Sequence, residues 1–150
     1  DLMRRGDGDE LWFVSRKKDI IIRGGTNISP AEVEDAIVAA HPNVEEAAVV
    51  GVPDEVLGQR VFAFAKLASN GGTTMVSQIV TTLATRLAAY KMPEAIIVLD
   101  KLPRNALSKV DRQMLLAMAI QADRDHRASQ TPAEPVRIKA ERPLRVVSSR

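Results

Sequence analysis

Apolar positions along this chain switch period several times, and each switch marks an element. Leu11-Trp12-Phe13-Val14 is a run suited to a short strand, after a polar turn at residues 3–10 built on Gly-Asp-Gly. The β-branched run Ile20-Ile21-Ile22, extended to Arg23, predicts a second strand able to pair with the first across residues 15–19. Val33, Ala36, Ile37 and Ala40 recur at helical spacing and predict a helix over Pro30–Ala40. Val44–Gly51 reads as a buried strand, Pro53 opens a loop through Gly58, and Arg60–Leu67 is a strand apolar on both faces. From Thr74 onward, Val76, Ile79, Val80, Leu83 and Leu87 trace one face of a helix ending near Ala89, before Pro93. Ala95–Leu99 is a strand and Leu102–Ser108 a loop. A last helix runs from Val110 to about Ile120, with Ser108 and Asp111 as a weak capping box. The order β-β-α-β-β-α-β-loop-α predicts an α+β fold: a small mixed β-sheet covered by about three helices and preceded by a short two-stranded hairpin.

Composition sharpens this picture. At 150 residues and 45% apolar, one domain with a packed core is expected; aromatics are 3%, so Val, Ile, Leu and Ala fill it. The absence of cysteine excludes disulfides, thiolate zinc sites and a cysteine nucleophile, and fits a cytoplasmic location. No apolar run approaches membrane-spanning length, and no signal-peptide pattern precedes the first strand. The net charge of +2 is uneven: residues 121–150 carry seven Lys/Arg against four Asp/Glu, and residues 1–120 carry 14 against 15. Basicity thus belongs to a proline-containing stretch, 123–150, read as a flexible basic tail. No basic stripe interleaved with aromatics marks a nucleic-acid face. His41 and His126 have no partners at metal-ligand spacing, so no metal site is predicted. The chain begins at Asp1-Leu2 and reads as a piece of something longer.

The densest local signal is Ser15–Asp35, SRKKDIIIRGGTNISPAEVED. Arg16, Lys17 and Lys18 form a cationic turn, the isoleucines a strand, and Gly24-Gly25 break it where backbone can approach another molecule closely. Ser29 reads as an N-cap, with Pro30 at the first helical position and Glu32 three residues after the cap. A second motif, LPRNALSKVDR, spans Leu102–Arg112.

The two motifs together resemble the small C-terminal domain of AMP-forming acyl-CoA synthetases, members of the adenylate-forming enzyme superfamily, over roughly Asp1–Ile120. The resemblance implies residues 1–14 as the end of a large N-terminal domain and lead-in, 15–122 as a mobile C-terminal domain, and the hairpin as lying at the hinge. It further implies that Lys109 is the catalytic lysine, contacting the acyl carboxylate and the ATP α-phosphate; taken alone, Lys109 is a solvated loop lysine. Lys18 matches the hinge position between two domain orientations. Arg16 and Asp1 match nucleotide-binding positions on the ribose or phosphates. Gly24, Gly25 and Thr26 match the passage of the CoA pantetheine arm, against an ordinary strand-to-helix turn as the alternative.

Departures accompany the match. Ser15 and Ser108 stand where many relatives carry glycine. Leu57 and Met92 stand near positions where some relatives place an aromatic and an arginine for CoA, and Lys91 or Arg60 is then available for a CoA phosphate. Glu32 and Glu34 are read as serving the helix N-terminus rather than acid–base chemistry. The implied reaction uses ATP and CoA as substrates, Mg2+ carried on ATP and held mainly by the large domain, and a small carboxylic acid. The implied partner is the chain's own N-terminal domain, and the isolated piece is expected to be inactive. Two alternatives stay open: a fatty-acyl-AMP ligase or other adenylating enzyme that loads a carrier protein, and a non-catalytic interaction module that kept the fold. Peptide-synthetase adenylation domains usually show Arg-Ile-Glu where this chain has Thr-Asn-Ile-Ser-Pro, which favours a CoA ligase.

Overall fold

The computed structural model describes residues 2–5, 11–15, 17–69 and 72–129. In chain order the elements are β1 (Leu2–Arg5), β2 (Leu11–Ser15), β3 (Ile21–Arg23), β4 (Thr26–Ile28), α1 (Pro30–Ala40), β5 (Val44–Asp54), β6 (Gly58–Leu67), α2 (Gly72–Arg86), β7 (Ala95–Val98) and α3 (Arg112–Ala128). β1 and β2 form a separate antiparallel pair. The main sheet runs β4-β3-β6-β5, with β7 parallel to β6. The architecture is α+β with a mixed sheet and three helices, as the sequence predicts.

The two longest apolar runs lie at the centre because both faces of the sheet are covered. Successive strand residues point to opposite faces. Val49, Val61, Ala63, Ala65 and Ile96 meet Val33 and Ile37 of α1 and Val76, Ile79 and Leu83 of α2. Ala48, Val50, Val52, Phe62, Phe64 and Ile97 point the other way, onto Leu115 and Ala119 of α3. A strand buried on both sides loses the alternation of apolar and polar positions, which is why Val61–Ala65 is apolar throughout.

Several expectations need correction. β2 pairs with β1 rather than with β3, so part of the 3–10 turn is strand and the hairpin lies one element earlier. Gly24-Gly25 joins β3 to β4 as a hairpin turn instead of leading directly into a helix. β5 continues through Pro53 to Asp54, and the loop shrinks to residues 55–57. Proline is tolerated because β5 is a sheet edge, where a missing N–H need not cost a ladder bond. α2 begins at Gly72 and ends at Arg86, a few residues ahead of the expected bounds. α3 is capped by Asp111, whose side chain accepts Met114 N–H at 3.1 Å, and not by Ser108. It also runs to Ala128 rather than ending near Ile120, so the expected tail boundary at 123 falls inside a helix. Ion pairs from Arg60 Nη2 to Asp123 Oδ2 (2.5 Å) and from Arg127 Nη2 to Asp54 Oδ2 (3.3 Å) hold that last stretch to the sheet. The remainder of the tail, 130–150, lies outside the described residues.

The predicted start of α1 matches: Ser29 Oγ accepts Glu32 N–H at 3.5 Å, and Pro30 occupies the first helical position.

Candidate functional site

Lys109 sits on a small closed loop. Arg104 and Val110 form an antiparallel bridge, Asn105 N–H donates to Lys109 O at 2.8 Å, and Ser108 N–H donates to Asn105 O at 2.9 Å. The Asn105 side chain closes the loop from inside, its Oδ1 accepting from Leu107 N–H (2.9 Å) and Lys109 N–H (3.2 Å). Arg104 donates to Ser108 O at 3.1 Å and pairs with Glu46 at the start of β5. The Lys109 backbone is therefore fixed through both its N–H and its C=O, while its side chain is exposed. Among the described residues no carboxylate pairs with it. Such an ammonium is free to meet an anion from another body. Ser108 has φ +60°, the single non-glycine left-handed residue among those described. That conformation costs a non-glycine residue on the order of 1–2 kcal/mol, and it accounts for the glycine expected there.

Gly24 and Gly25 have φ +55° and +78°, as a two-residue hairpin turn with both central residues left-handed requires. A Cβ at either would meet nothing within 4 Å, so the glycines answer to backbone conformation and leave an open surface. Gly24 N–H donates to Leu57 O at 2.7 Å, which ties the turn to the β5–β6 hairpin. Thr26 is exposed beside it.

Lys18 is exposed in the short helical turn Lys17–Asp19. It lines one side of a cleft of about 150 Å³ with Gly51, Gln59 and Arg112. Arg112 is not free in that cleft: its Nη1 donates to Glu34 Oε1 (2.8 Å) and to Val49 O (2.9 Å), and Glu34 Oε1 also accepts Val49 N–H (2.9 Å). Glu34 therefore seals the outer edge of β5 together with Arg112, a role the sequence did not show. Asp1 and Arg16 lie outside the described residues.

The two cations considered for a CoA phosphate already have partners. Lys91 Nζ meets Glu32 Oε1 and Oε2 at 2.8 and 2.9 Å, and this bond raises its pKa above the usual lysine value. Arg60 lies between Asp54 and Asp123 over the Phe62 ring, with Nε 2.9 Å from Asp54 Oδ2 in ion-pair contact though off the hydrogen-bond angle.

The Lys109 loop and the Gly24-Gly25 turn are anchored at opposite ends of β5. The first is held at Glu46; the second is held at Leu57 and at Gly58, which pairs with Arg23. Eight positions of β5 separate Glu46 from Asp54, about 26 Å at about 3.3 Å per residue.

Residues 32–109 match the family described as the AMP-binding enzyme C-terminal domain, and Lys109 is the last residue matched. The chain is 43% identical over 125 residues to triostin synthetase I of Streptomyces triostinicus, covering 83% of this chain and 23% of that protein. It is 40% identical over 116 residues to the medium-chain fatty-acid–CoA ligase of Escherichia coli, covering 77% and 20%. The crystal structure of apo MatB from Rhodopseudomonas palustris matches with a TM-score of 0.69 at 34% identity, covering 80% of this chain and 24% of that one. The chain spans between a fifth and a quarter of the length of these relatives.

Proposed function

The chain belongs to the AMP-binding enzyme C-terminal domain family, and from that membership we propose that it serves as the C-terminal domain of an ATP-dependent acyl- or aryl-CoA synthetase. In the first step a carboxylate oxygen attacks the α-phosphorus of ATP, forming the acyl–AMP anhydride and expelling pyrophosphate. In the second the CoA thiolate attacks the acyl carbonyl, the thioester forms, and AMP leaves. Lys109 acts in the first step. Its ammonium donates to the carboxylate and α-phosphate oxygens, drawing them together and offsetting the charge that builds there. Lysine suits this task as a compact charge on a flexible stem. Gly24, Gly25 and Thr26 act in the second step, lining the thiol's route with backbone that no side chain obstructs. Lys18 would lie at the hinge, and Arg16 and Asp1 at the nucleotide. Mg2+ would arrive on ATP and be held mainly by the large domain.

One observation carries this reading. The Lys109 loop and the glycine turn are anchored at different points of one sheet, the loop through Arg104 at Glu46 and the turn at Leu57 and Gly58. A domain that turns between two orientations presents them in succession, which is the order a two-step reaction needs.

The supporting test is pyrophosphate release by the full-length parent with a panel of carboxylates, wild type against Lys109→Ala. A loss of about a hundredfold or more is expected, the scale seen when one preorganised charge-stabilising group is removed. Release that survives the substitution removes Lys109 from the mechanism. The chain alone is expected to form no acyl-CoA. The acceptor, free CoA or a carrier protein, is separated by supplying CoA or a phosphopantetheinylated carrier to the full-length parent.

A further inference from the structure

The Gly24-Gly25 turn is hydrogen-bonded to a neighbouring turn. β3 and β4 are three residues each, and β3 meets the β6 ladder only at Arg23↔Gly58. Arg23 also reaches Tyr90 O at 2.9 Å and Glu94 at 3.5 Å, and Ile21 and Ile28 are buried in the core; the hydrogen bonds nearest the turn come from residues 57–59. Gly24 N–H donates to Leu57 O at 2.7 Å, and Ile22 N–H donates to the Gln59 side-chain Oε1 at 2.8 Å.

Leu57 is in turn fixed by Asp54, whose two oxygens divide the work. Oδ1 accepts the N–H groups of Val56 (2.9 Å) and Leu57 (2.8 Å), which shapes the turn. Oδ2 faces the Arg60 and Arg127 guanidiniums at 2.9 and 3.3 Å. The side chain is 12% exposed and meets these partners from three elements. The Lys109 loop is held at the other end of β5.

We propose that Asp54 is a positioning residue for the thioester-forming step: its Oδ1 sets the 55–57 turn, and that turn holds the Gly24-Gly25 backbone where the thiol arm passes. The catalytic half of this inference rests on the proposed function; the positioning half rests on geometry alone.

Two substitutions separate the roles of the two oxygens. Asp54→Ala removes both, whereas Asp54→Asn keeps an acceptor at Oδ1 and loses the anion facing the arginines. Amide hydrogen exchange of the chain itself reads the positioning. Asp54→Ala should speed exchange at Gly24 about tenfold relative to Lys109, while Asp54→Asn leaves that ratio within about threefold.

In the full-length parent, thioester formation from supplied acyl-adenylate and CoA should fall about tenfold in Asp54→Ala, with a raised KM for CoA. Pyrophosphate release should stay within about twofold, and Asp54→Asn should recover most of the loss. If Asp54→Ala does not fold, Asp54→Leu, which fills the same space and lacks both acceptors, takes its place and should move the same readouts the same way. An unchanged Gly24 exchange ratio overturns the positioning. Equal losses in both half-reactions reduce Asp54 to a stability role and overturn the inference. A wild-type parent that releases no pyrophosphate with any carboxylate counts against the proposed function instead, and the exchange ratios still decide the positioning.

Discussion

Glu34→Ala should destabilise the fold more than its surface ion pair suggests, because the carboxylate does two things at once. Glu34 Oε1 accepts Val49 N–H at 2.9 Å and Arg112 Nη1 at 2.8 Å. Val49 is 1% exposed, and its N–H points away from β6, so no ladder partner or water replaces a lost acceptor easily. Stranding a buried amide costs about 1–3 kcal/mol. The ion pair adds less: Arg112 is 37% exposed, and pairs of that kind contribute about 0.2–1 kcal/mol. Together these predict a loss of about 1–4 kcal/mol for Glu34→Ala, or roughly 3–12 °C in Tm at about 3 °C per kcal/mol for a chain of this size. Arg112→Ala should cost less, about 1–1.5 kcal/mol, since the Val49 carbonyl it leaves behind tolerates partial satisfaction better than an N–H does. Urea unfolding of the wild type, both single mutants and the double mutant at pH 7 measures all of these. The cycle should return a coupling energy of about 0.5 kcal/mol. An Arg112→Ala cost equal to or larger than that of Glu34→Ala refutes the reasoning, because the amide would then not be the main term.

Two further outcomes follow from local geometry. Ser108→Gly should stabilise the chain by about 0.5–1 kcal/mol in the same assay, the relief of a left-handed serine less the extra freedom of an unfolded glycine. A destabilisation would mean that the φ of +60° carries no strain. The Asp54 carboxyl is held below its ordinary value of 3.8, chiefly by the Leu57 amide and further by Val56, Arg60 and Arg127, against the opposing effect of its burial. Its folded pKa is thus lower than its unfolded one. The stability it contributes is present above the unfolded value and is lost as pH falls through the folded one. The stability gap between wild type and Asp54→Asn should therefore shrink on acidification from about pH 5 to about pH 2, followed by circular dichroism. A gap that widens contradicts the assignment.

The parts of the fold legible in the sequence were those built from many similar positions. Val33 and Ile37 of α1, and Val76, Ile79 and Leu83 of α2, recur at helical spacing and all enter one core. The unbroken apolar run of β6 announced a strand covered on both sides. What escaped was set by partners distant in sequence or by too few residues to show a period. β4 is three residues, two of them exposed, and only the Gly24-Gly25 pair signals it as the far arm of a hairpin. The last turns of α3 carry no apolar stripe; Arg60 and Asp54 hold them from the other side of the sequence. Pro53 looked like a strand breaker because nothing local says that β5 is an edge.

The candidate site divides in the same way. Gly24 and Gly25 stood out by residue type, and their left-handed φ values give that signal its cause. Lys109 has no local feature that separates it from other loop lysines; the surrounding motif singled it out, and the geometry adds a fixed backbone beneath a free ammonium. Glu34 and Asp54 were invisible as cross-links because their partners, 78 residues away at Arg112 and 73 away at Arg127, share no local pattern with them.

The central claim is that one rigid domain serves two chemical steps from opposite ends. The most direct measurement supplies preformed acyl-adenylate and CoA to the full-length parent carrying Lys109→Ala and follows thioester formation. The account predicts a rate within about threefold of wild type, although the same variant has lost pyrophosphate release, because removing a transition-state group affects only the step that uses it. Loss of thioester formation together with adenylation would contradict the division of labour between the two ends.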